Sequence, residues 1–398
     1  MFNNMEPHNL PLRVETFRSG IFVFQSGVNI AALQPLIDRV EDAHRRFSSV
    51  PILPDVAASL EKEVLVSSVF GTNTIEGGTL TEEETADALD APEEAKEEKN
   101  IRVVNIRRAY EQIEGYAANC LSAPELCRNS GFAVTIGEHM LKDLHQAITD
   151  NLSHPVNIPR EYRNNRKGQR TQVGDAAHGG IYQPPKCRED IELLVGKFLE
   201  WINAEPMLSL PPLIRAPLAH YYFERIHPFW DGNGRVGRVL EAMVMKCAGY
   251  KYTPFALSKY YLENIDAYFS AFNLARKAED KAAPYPNQVF VELFLKGMLD
   301  ALNRLHDRVN RMIGLVLYRN QVRGMLEEKR INLRQYTLIN NLLPEGLAHE
   351  LARVKAQPWF KGLYLQRTDM TQSRDIRGLI DRGLIEISKN GKLRLCVP

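Results

Sequence analysis

The stretch HPFWDGNGRVGR, residues 227–238, combines a titratable base, a carboxylate, a Gly-Asn-Gly turn and two guanidinium groups. Residues 239–245 follow it, are mostly apolar and predict a helix. A turn before a helix leaves backbone N–H groups free at the helix start, where anions bind well. Arg235 and Arg238 stand three residues apart, so they share one face of that helix. Together these groups predict chemistry on a phosphate-bearing substrate.

The composition of the chain bounds its class. Its 398 residues suffice for two or three domains and a sizeable core. The 50 basic residues balance 49 acidic ones, so no global field favours nucleic acid or membranes. No apolar run approaches the length of a spanning helix, and residues 1–13 lack the apolar region of a signal peptide. We therefore expect no membrane association and a cytoplasmic location.

The cysteines support the same expectation. They are odd in number and scattered, at Cys120, Cys127, Cys187, Cys247 and Cys396. Cys120 and Cys127 lack the spacing and the partners of a metal motif, so neither a disulfide nor a zinc framework is expected. A reducing compartment fits this pattern.

Helical periodicity fills most of the chain up to residue 330. It predicts helices over 31–40, 60–75, 103–118, 131–150, 191–202, 213–226, 257–277 and 288–330. Gly77 and Gly78 are expected to end the second helix, and Thr81 to cap a further helix with an acidic first turn. Residues 160–185 are rich in Gly, Asn and Arg, which predicts a loop with a short β-hairpin.

The last part of the chain changes character, because short helical patterns give way to strand patterns. Helices are expected over 330–343, 347–356 and 371–381, and strands over 383–387 and 392–395, around the turn Lys389-Asn390-Gly391. This order predicts a small winged-helix-like module over 331–398. It would follow an N-terminal helical region, 1–100, and a catalytic core with trailing helices, 101–330.

The central stretch resembles the signature of Fic-domain proteins, His-Pro-Phe-x-Asp-Gly-Asn-Gly-Arg-x-x-Arg, with every fixed position filled. The resemblance implies a mainly α fold, a Fic-type helical bundle with a short β-hairpin flap. It also implies protein adenylyltransferase activity. ATP donates AMP to a Ser, Thr or Tyr hydroxyl of a target protein, or of the enzyme itself, and pyrophosphate leaves. Mg²⁺ or Mn²⁺ is the implied cofactor.

The resemblance gives the base and the metal ligand of the motif their roles. His227 would be the general base that takes the hydroxyl proton, since imidazole titrates near neutral pH. Asp231 would offer Mg²⁺ a hard oxygen ligand, since this ion prefers few carboxylates plus phosphate oxygens.

The remaining motif residues would bind the nucleotide phosphates. Gly232, Asn233 and Gly234 would form the anion-binding turn, with Asn233 adding a side-chain donor. Arg235 and Arg238 would hold the β- and γ-phosphates and offset the charge that builds on the leaving pyrophosphate.

Two further segments resemble parts of the family's nucleotide and target sites. Residues 170–185 resemble the flap, where Val173 would touch adenine and the edge near Val173 and Tyr182 would pair with an extended target segment. Residues 264–270 resemble the segment whose second aromatic residue borders adenine, which indicates Phe269. An ordinary surface hairpin and a core aromatic residue are the competing interpretations.

Residues 72–77, Thr-Asn-Thr-Ile-Glu-Gly, match the Fic inhibitory pattern Ser/Thr-x-x-x-Glu-Gly/Asn. These residues lie ahead of the core, and in this the chain resembles the subclass with an N-terminal inhibitory helix. The inhibitory pattern begins here at Thr72. The implied mechanism is electrostatic. Glu76 would pair with Arg238 in bidentate geometry, withdraw the partner of the γ-phosphate and repel the nucleotide.

Other functions stay open at this stage. A Fic variant could remove AMP, with Glu76 positioning water, or transfer another part of a nucleotide. A regulator of another class could bind DNA through the C-terminal module, with 371–381 as its recognition helix. Its candidate phosphate contacts are Arg374, Arg377, Arg382, Lys389, Lys392 and Arg394. Docking of a partner protein or formation of a homodimer are alternative roles for this module.

Overall fold

The computed structural model of the protein describes residues 7–122, 134–165, 169–343 and 348–397. Helices make up most of this part of the chain, so the mainly α fold predicted from the sequence is confirmed. Within the same part, no helix has both the length and the apolar character needed to cross a membrane.

The chain divides into two compact units. The first is formed by 1–51 with 57–305, and the second by 52–56 with 306–398. The boundaries expected from the sequence at residues 100 and 330 stay a prediction.

Helices follow one another from residue 30 to residue 327. They are α1 (Ile30–Ser48), α2 (Pro54–Ile75), α3 (Glu82–Asp90), α4 (Glu98–Ser122), α5 (Glu138–Thr149), α6 (Arg188–Ile202), α7 (Glu205–Leu208), α8 (Pro212–Ile226), α9 (Asn233–Cys247), α10 (Thr253–Glu263), α11 (Ile265–Asp280) and α12 (Gln288–Glu327). Short 3₁₀ turns lie at Pro7–Asn9 and Pro92–Glu94.

The core of the first unit surrounds α8 and α9. Every residue of α8 from Leu213 to Ile226 is buried, and α9 packs against α4, α5, α8 and α10. A helix that is covered on all sides carries apolar residues all round, as α9 does through most of its length. The polar residues of α9 are therefore buried in the interior as well. Arg235, Arg238 and Glu241 are each at most 3% exposed and must find partners there.

Helix α2 ends where the sequence predicts. Gly77 adopts φ +78°, its N–H bonds the carbonyl of Thr74, and the N–H of Gly78 bonds the carbonyl of Asn73. A left-handed glycine with such bonds is a common helix stop, because glycine alone pays no steric cost there. The predicted cap of α3 is also present, with Thr81 and Glu84 forming a reciprocal capping box.

The structure contains an N-terminal hairpin that the sequence did not predict. Strands β1 (Leu12–Glu15) and β2 (Ile21–Phe24) pair antiparallel, with Leu12 opposite Phe24. Phe24 is fully buried and stacks on Trp201 at 5.7 Å between ring centroids. Each strand is too short for its alternation to stand out, and the hairpin forms because α6 covers it.

Several predicted helices differ in their bounds. The helix expected over 131–150 begins at Glu138, with 131–133 outside the described residues. The helix expected over 257–277 is broken at Asn264 into α10 and α11. The flap hairpin reduces to one bridge, between Val173 and Tyr182.

The second unit combines helices with a small sheet. After α12 it contains α13 (Leu333–Leu342), β3 (Ala348–Glu350), α14 (Leu351–Ala356), α15 (Pro358–Leu363), α16 (Asp369–Asp381), β4 (Ile385–Ile387) and β5 (Lys392–Leu395). The strand order is β3-β5-β4 and both pairs are antiparallel. The predicted β4–β5 hairpin is confirmed. The helix expected over 347–356 is wrong in its first part, because 348–350 pair with the remote β5.

The basic side chains considered for DNA contact are all exposed. They are Arg374, Arg377, Arg382, Lys389, Lys392 and Arg394. Their neighbour Asp375 is buried, and its carboxylate accepts from Nε of Arg334 at 2.7 Å. The winged-helix interpretation and the DNA contact stay predictions.

Replacing Leu379 with Ala tests the core of the second unit. Leu379 is fully buried there, so we expect the substitution to lower the free energy of opening this unit by about 2–5 kcal/mol. Amide hydrogen exchange of α13 and β5 measures that free energy. Leu365→Ala is the matched control, since Leu365 is 80% exposed. Equal protection in both variants would contradict the described core.

Candidate active site

His227 stands at the junction of α8 and the motif loop, where the backbone is held in an uncommon conformation. It has φ 49° and ψ 60°, which a non-glycine residue adopts only where its surroundings impose it. Its N–H donates to the carbonyl of Phe223 at 2.9 Å, and its carbonyl accepts from Nε of Arg163 at 2.7 Å. The N–H of Arg163 also bonds the carbonyl of Pro228 at 2.9 Å. Arg163 thus fixes where the imidazole emerges.

The imidazole of His227 is partly covered, at 17% exposure. Its Nδ1 lies 3.4 Å from Oε2 of Glu224. The two atoms make no hydrogen bond, but the negative charge beside Nδ1 favours the tautomer that carries the proton there, which leaves Nε2 able to accept one. This is the state that a general base requires.

A stacked pair of aromatic rings stabilises the motif loop. Phe229 is fully buried, and its ring lies parallel to that of His145 at 3.6 Å between centroids. Nδ1 of His145 accepts from the N–H of Arg160 at 3.0 Å, so Nε2 carries the proton and donates to the carbonyl of Asp231 at 3.2 Å. Burial lowers the pKa of His145 to about 4, which keeps this ring neutral. Sequence reasoning assigned His145 no role.

Asn233 stabilises the loop rather than facing a ligand. Its side chain is buried, its Oδ1 accepts from the N–H of Phe229, and its Nδ2 donates to the carbonyl of Phe229, both at 2.9 Å. The prediction of a side-chain donor to a phosphate does not fit this geometry. Since α9 begins at Asn233, the residue instead fixes the angle at which the loop enters the helix.

The glycines of the turn serve two different needs. Gly232 has φ +82°, and a β-carbon there would approach Cγ2 of Thr149 to 3.1 Å. A β-carbon at Gly234 would overlap Oε1 of Glu76. The carboxylate of Glu76 therefore lies directly on the first turn of α9, where the helix dipole and free N–H groups favour an anion.

The structure brings Glu76 and Arg238 together. Nη2 of Arg238 lies 2.8 Å from Oε1 of Glu76, and it also donates to the carbonyl of Thr72 at 3.3 Å. The pair uses one nitrogen and one oxygen, so the expected bidentate geometry is absent. Burial alone would raise the pKa of Glu76, but the charges of Arg238 and Arg235 outweigh it and hold this pKa below its ordinary value.

Thr72 acts through its backbone. Its hydroxyl donates to Oγ of Ser258 at 2.9 Å, away from the Glu76 carboxylate, while its carbonyl meets Arg238. Arg102, which sequence reasoning missed, donates from Nη2 to the carbonyl of Glu76 at 3.1 Å. It thus satisfies a carbonyl that the end of α2 leaves without a helical partner. No local pattern in the sequence signals this contact.

Asp231 and Arg235 pair with each other. Nη2 of Arg235 lies 2.8 Å from both carboxylate oxygens of Asp231. Burial opposes ionisation of Asp231, but the Arg235 charge and hydrogen bond keep the pKa of Asp231 below its ordinary value. The carboxylate is 36% exposed, so an ionised hard oxygen donor faces outward. One such ligand together with nucleotide oxygens fits Mg²⁺. The described residues contain no cluster of three or more His, Cys, Asp or Glu that could hold a metal.

A cavity of about 300 Å³ gathers most of the residues singled out from the sequence. Its lining includes Glu76, Val173, His227, Gly234, Arg238 and Phe269. Other predicted residues lie beside it without lining it: Thr72, Asp231, Gly232, Asn233 and Arg235.

The flap segment forms one side of this cavity. Val173 and Tyr182 exchange two backbone hydrogen bonds of 2.9 and 2.8 Å. Nδ2 of Asn273, on α11, donates to the carbonyls of His178 and Gly180 at 2.9 and 2.8 Å. Helix α11 thus holds the flap, although the sequence indicated only a hairpin ahead of the motif.

His178 adds a charged link between the flap and α11. Its Nδ1 lies 2.9 Å from Asp175, and its Nε2 lies 3.0 Å from Oδ1 of Asp266. Since carboxylates only accept, both hydrogen bonds form when both ring nitrogens carry protons, that is, when the ring is a cation. These hydrogen bonds, Asp266 first and Asp175 second, raise the pKa of His178 above 6.5. The ring meets Phe269 edge-on, at 5.4 Å between centroids.

Comparison with known proteins extends this description. Residues 135–245 match the model of the Fic/DOC family. Over 217 residues it is 29% identical to the protein adenylyltransferase Fic of Culex quinquefasciatus, covering 54% of this chain and 39% of that protein. The corresponding protein of Nematostella vectensis is 26% identical, with 54% and 46% covered. The chain thus spans less than half the length of these curated relatives.

Solved structures share the fold. A Fic family protein from Desulfovibrio desulfuricans G20 superposes with a TM-score of 0.54 at 17% identity, covering 94% of this chain and 98% of that chain. Fic-1 from C. elegans superposes with a TM-score of 0.51 at 22% identity, covering 69% and 72%. The predicted Fic-type architecture is therefore confirmed.

Titration of His178 tests the flap link. Because its pKa is raised in the folded state, the link is complete below pH 6.5 and is lost as pH rises through the folded pKa. We expect an NMR titration of the His178 ring to give an apparent pKa above 6.5, and Asp266→Asn to lower it. Asp42→Asn, at an exposed carboxylate paired with Arg45, is the control. A pKa that is unchanged by Asp266→Asn would contradict the link.

Proposed function

We propose that this protein is a self-inhibited protein adenylyltransferase, which transfers AMP from ATP to a hydroxyl group of a protein. The observation that carries the proposal is the position of the Glu76 carboxylate, on the first turn of α9 and 2.8 Å from Arg238. An anion already occupies the place where a nucleotide phosphate would bind. The names of the curated relatives support the same chemistry.

The transfer step is a substitution at the α-phosphorus of ATP. The hydroxyl oxygen of the target forms a bond to this phosphorus, the bond to the β-phosphate oxygen breaks, and pyrophosphate leaves. His227 takes the hydroxyl proton on Nε2 as the new bond forms. The fixed backbone of His227 orients the ring, and the Glu224 carboxylate beside Nδ1 favours the tautomer that accepts this proton.

The charge that develops on pyrophosphate needs cationic partners. Arg238 and Arg235 start from the buried face of α9, so they need little reorganisation to meet it. Asp231 would hold Mg²⁺, which neutralises phosphate charge when it is bound. Arg235 would then exchange the Asp231 carboxylate for phosphate oxygens, as its buried Nε and Nη1 have no hydrogen-bond partner among the described residues.

A protein target would dock along the flap. The edge near Val173 and Tyr182 makes one bridge only, which leaves neighbouring backbone groups able to pair with an extended segment. Such pairing recognises the backbone of the target segment rather than its side chains. Val173 and Phe269 line the same cavity and would enclose the adenine base.

Glu76→Gly tests the inhibition. Removing a charge-assisted hydrogen bond that competes with the nucleotide frees Arg238, so we expect AMP incorporation from α-labelled ATP to rise about 10- to 100-fold. Glu82→Gly is the control, since Glu82 is a partly exposed carboxylate that pairs with Lys259 instead of Arg238. A Glu76→Gly variant that binds ATP yet stays as quiet as the wild-type protein would exclude an inhibitory role. Retention of label from α- but not γ-labelled ATP distinguishes AMP transfer from transfer of another group.

His227→Ala tests the base. In the Glu76→Gly background, we expect transfer to fall by at least about 100-fold, since general bases contribute about 10²–10⁴-fold. ATP affinity should change less than twofold, because the phosphate contacts stay in place. His139→Ala, at an exposed histidine on α5, is the control. Substantial residual transfer would remove His227 from this role.

A further inference from the structure

A buried series of hydrogen bonds starts at Arg238 and Tyr268, which both line the cavity, and continues to His220 and Glu241, which do not. Nη1 of Arg238 lies 3.1 Å from the hydroxyl of Tyr268, and this hydroxyl lies 3.1 Å from Nε2 of His220. Nδ1 of His220 lies 2.9 Å from Oε2 of Glu241. All four side chains are at most 3% exposed. The reaction described above uses only the first of them.

The direction of each bond follows from its partners. A guanidinium group only donates, so the oxygen of Tyr268 accepts from Arg238. The hydroxyl proton of Tyr268 is then available to Nε2 of His220, which accepts it when the His220 ring is neutral. Nδ1 therefore carries the ring proton and donates to the carboxylate of Glu241. Every bond is satisfied when His220 is neutral and Glu241 is ionised.

The buried series of hydrogen bonds and the inhibitory contact use different nitrogens of Arg238. Tyr268 bonds Nη1, whereas Glu76 and the carbonyl of Thr72 bond Nη2. Departure of Glu76 therefore breaks none of the hydrogen bonds between Arg238, Tyr268, His220 and Glu241. A buried guanidinium with one partner removed would otherwise be free to turn, since its long side chain has several rotatable bonds.

We infer that Tyr268, supported by His220 and Glu241, is a positioning residue that keeps Nη2 of Arg238 directed at the anion site. It does so whether Glu76 or a nucleotide phosphate occupies that site. Glu241 lies on the same helix as Arg238, so the series keeps its last acceptor when Glu76 leaves. The inference rests on the proposed function, in which Arg238 binds the phosphates beyond the α-phosphate.

The test compares ATP with AMP, which lacks the β- and γ-phosphates. In the Glu76→Gly background, Tyr268→Phe removes one hydroxyl and keeps the ring. We expect the Kd for ATP, measured by calorimetry, to rise about tenfold, and the Kd for AMP to change less than twofold. A merely structural role would weaken both ligands alike. Tyr222→Phe is the matched control, because Tyr222 is a buried phenol that bonds Gln25 and Asn287.

His220→Phe gives the same test if Tyr268→Phe fails to fold. It leaves Tyr268 in place but removes the acceptor behind it, so the weakening should again be selective for ATP. Unchanged ATP affinity in both folded variants, or equal weakening of ATP and AMP, would overturn the inference. If the Glu76→Gly protein transfers no AMP yet the selective weakening is seen, the positioning role stands and the proposed activity falls. If it binds no ATP at all, both fall.

Discussion

The guanidinium of Arg238 is buried at the start of a buried helix, and the structure around it is arranged to supply it with anions and acceptors. A buried cation that loses its partner costs about 3–5 kcal/mol. Arg238 therefore cannot be left alone when the site changes state. Glu76 supplies one carboxylate from α2, and Glu241 supplies another through Tyr268 and His220. A phosphate group is the third anion that could take this place.

This requirement connects distant parts of the chain. Helix α2 must stop before Gly77, whose left-handed backbone turns the following residues away while Glu76 faces α9. Gly234 must lack a side chain because the Glu76 carboxylate fills that space. Arg102 holds the carbonyl of Glu76 from α4. Inhibition on this account depends on the charge of Arg238, because the Glu76 carboxylate and a phosphate compete for the same guanidinium.

The sequence was informative wherever function depends on residues close together in the chain. The motif 227–238, the stop at Gly77 and the β4–β5 turn all have local signals, and the contact between Glu76 and Arg238 followed from a recognised pattern. Side-chain partners from remote elements have no such signal. Asn233 was expected to face a phosphate, but its amide fits the loop backbone better. The pairing of Asp231 with Arg235, the roles of His145 and Tyr268 and the short strands β1 to β3 likewise depend on tertiary packing.

The central claim is that Glu76 and the terminal phosphates of ATP compete for Arg238. A double-mutant cycle on ATP affinity measures this competition directly, using Glu76→Gln, Arg238→Met and the double variant. The account predicts that Glu76→Gln tightens ATP binding when Arg238 is present and has little effect in the Arg238→Met background. Equal tightening in both backgrounds would show that Glu76 acts on the nucleotide without Arg238, which would contradict the account.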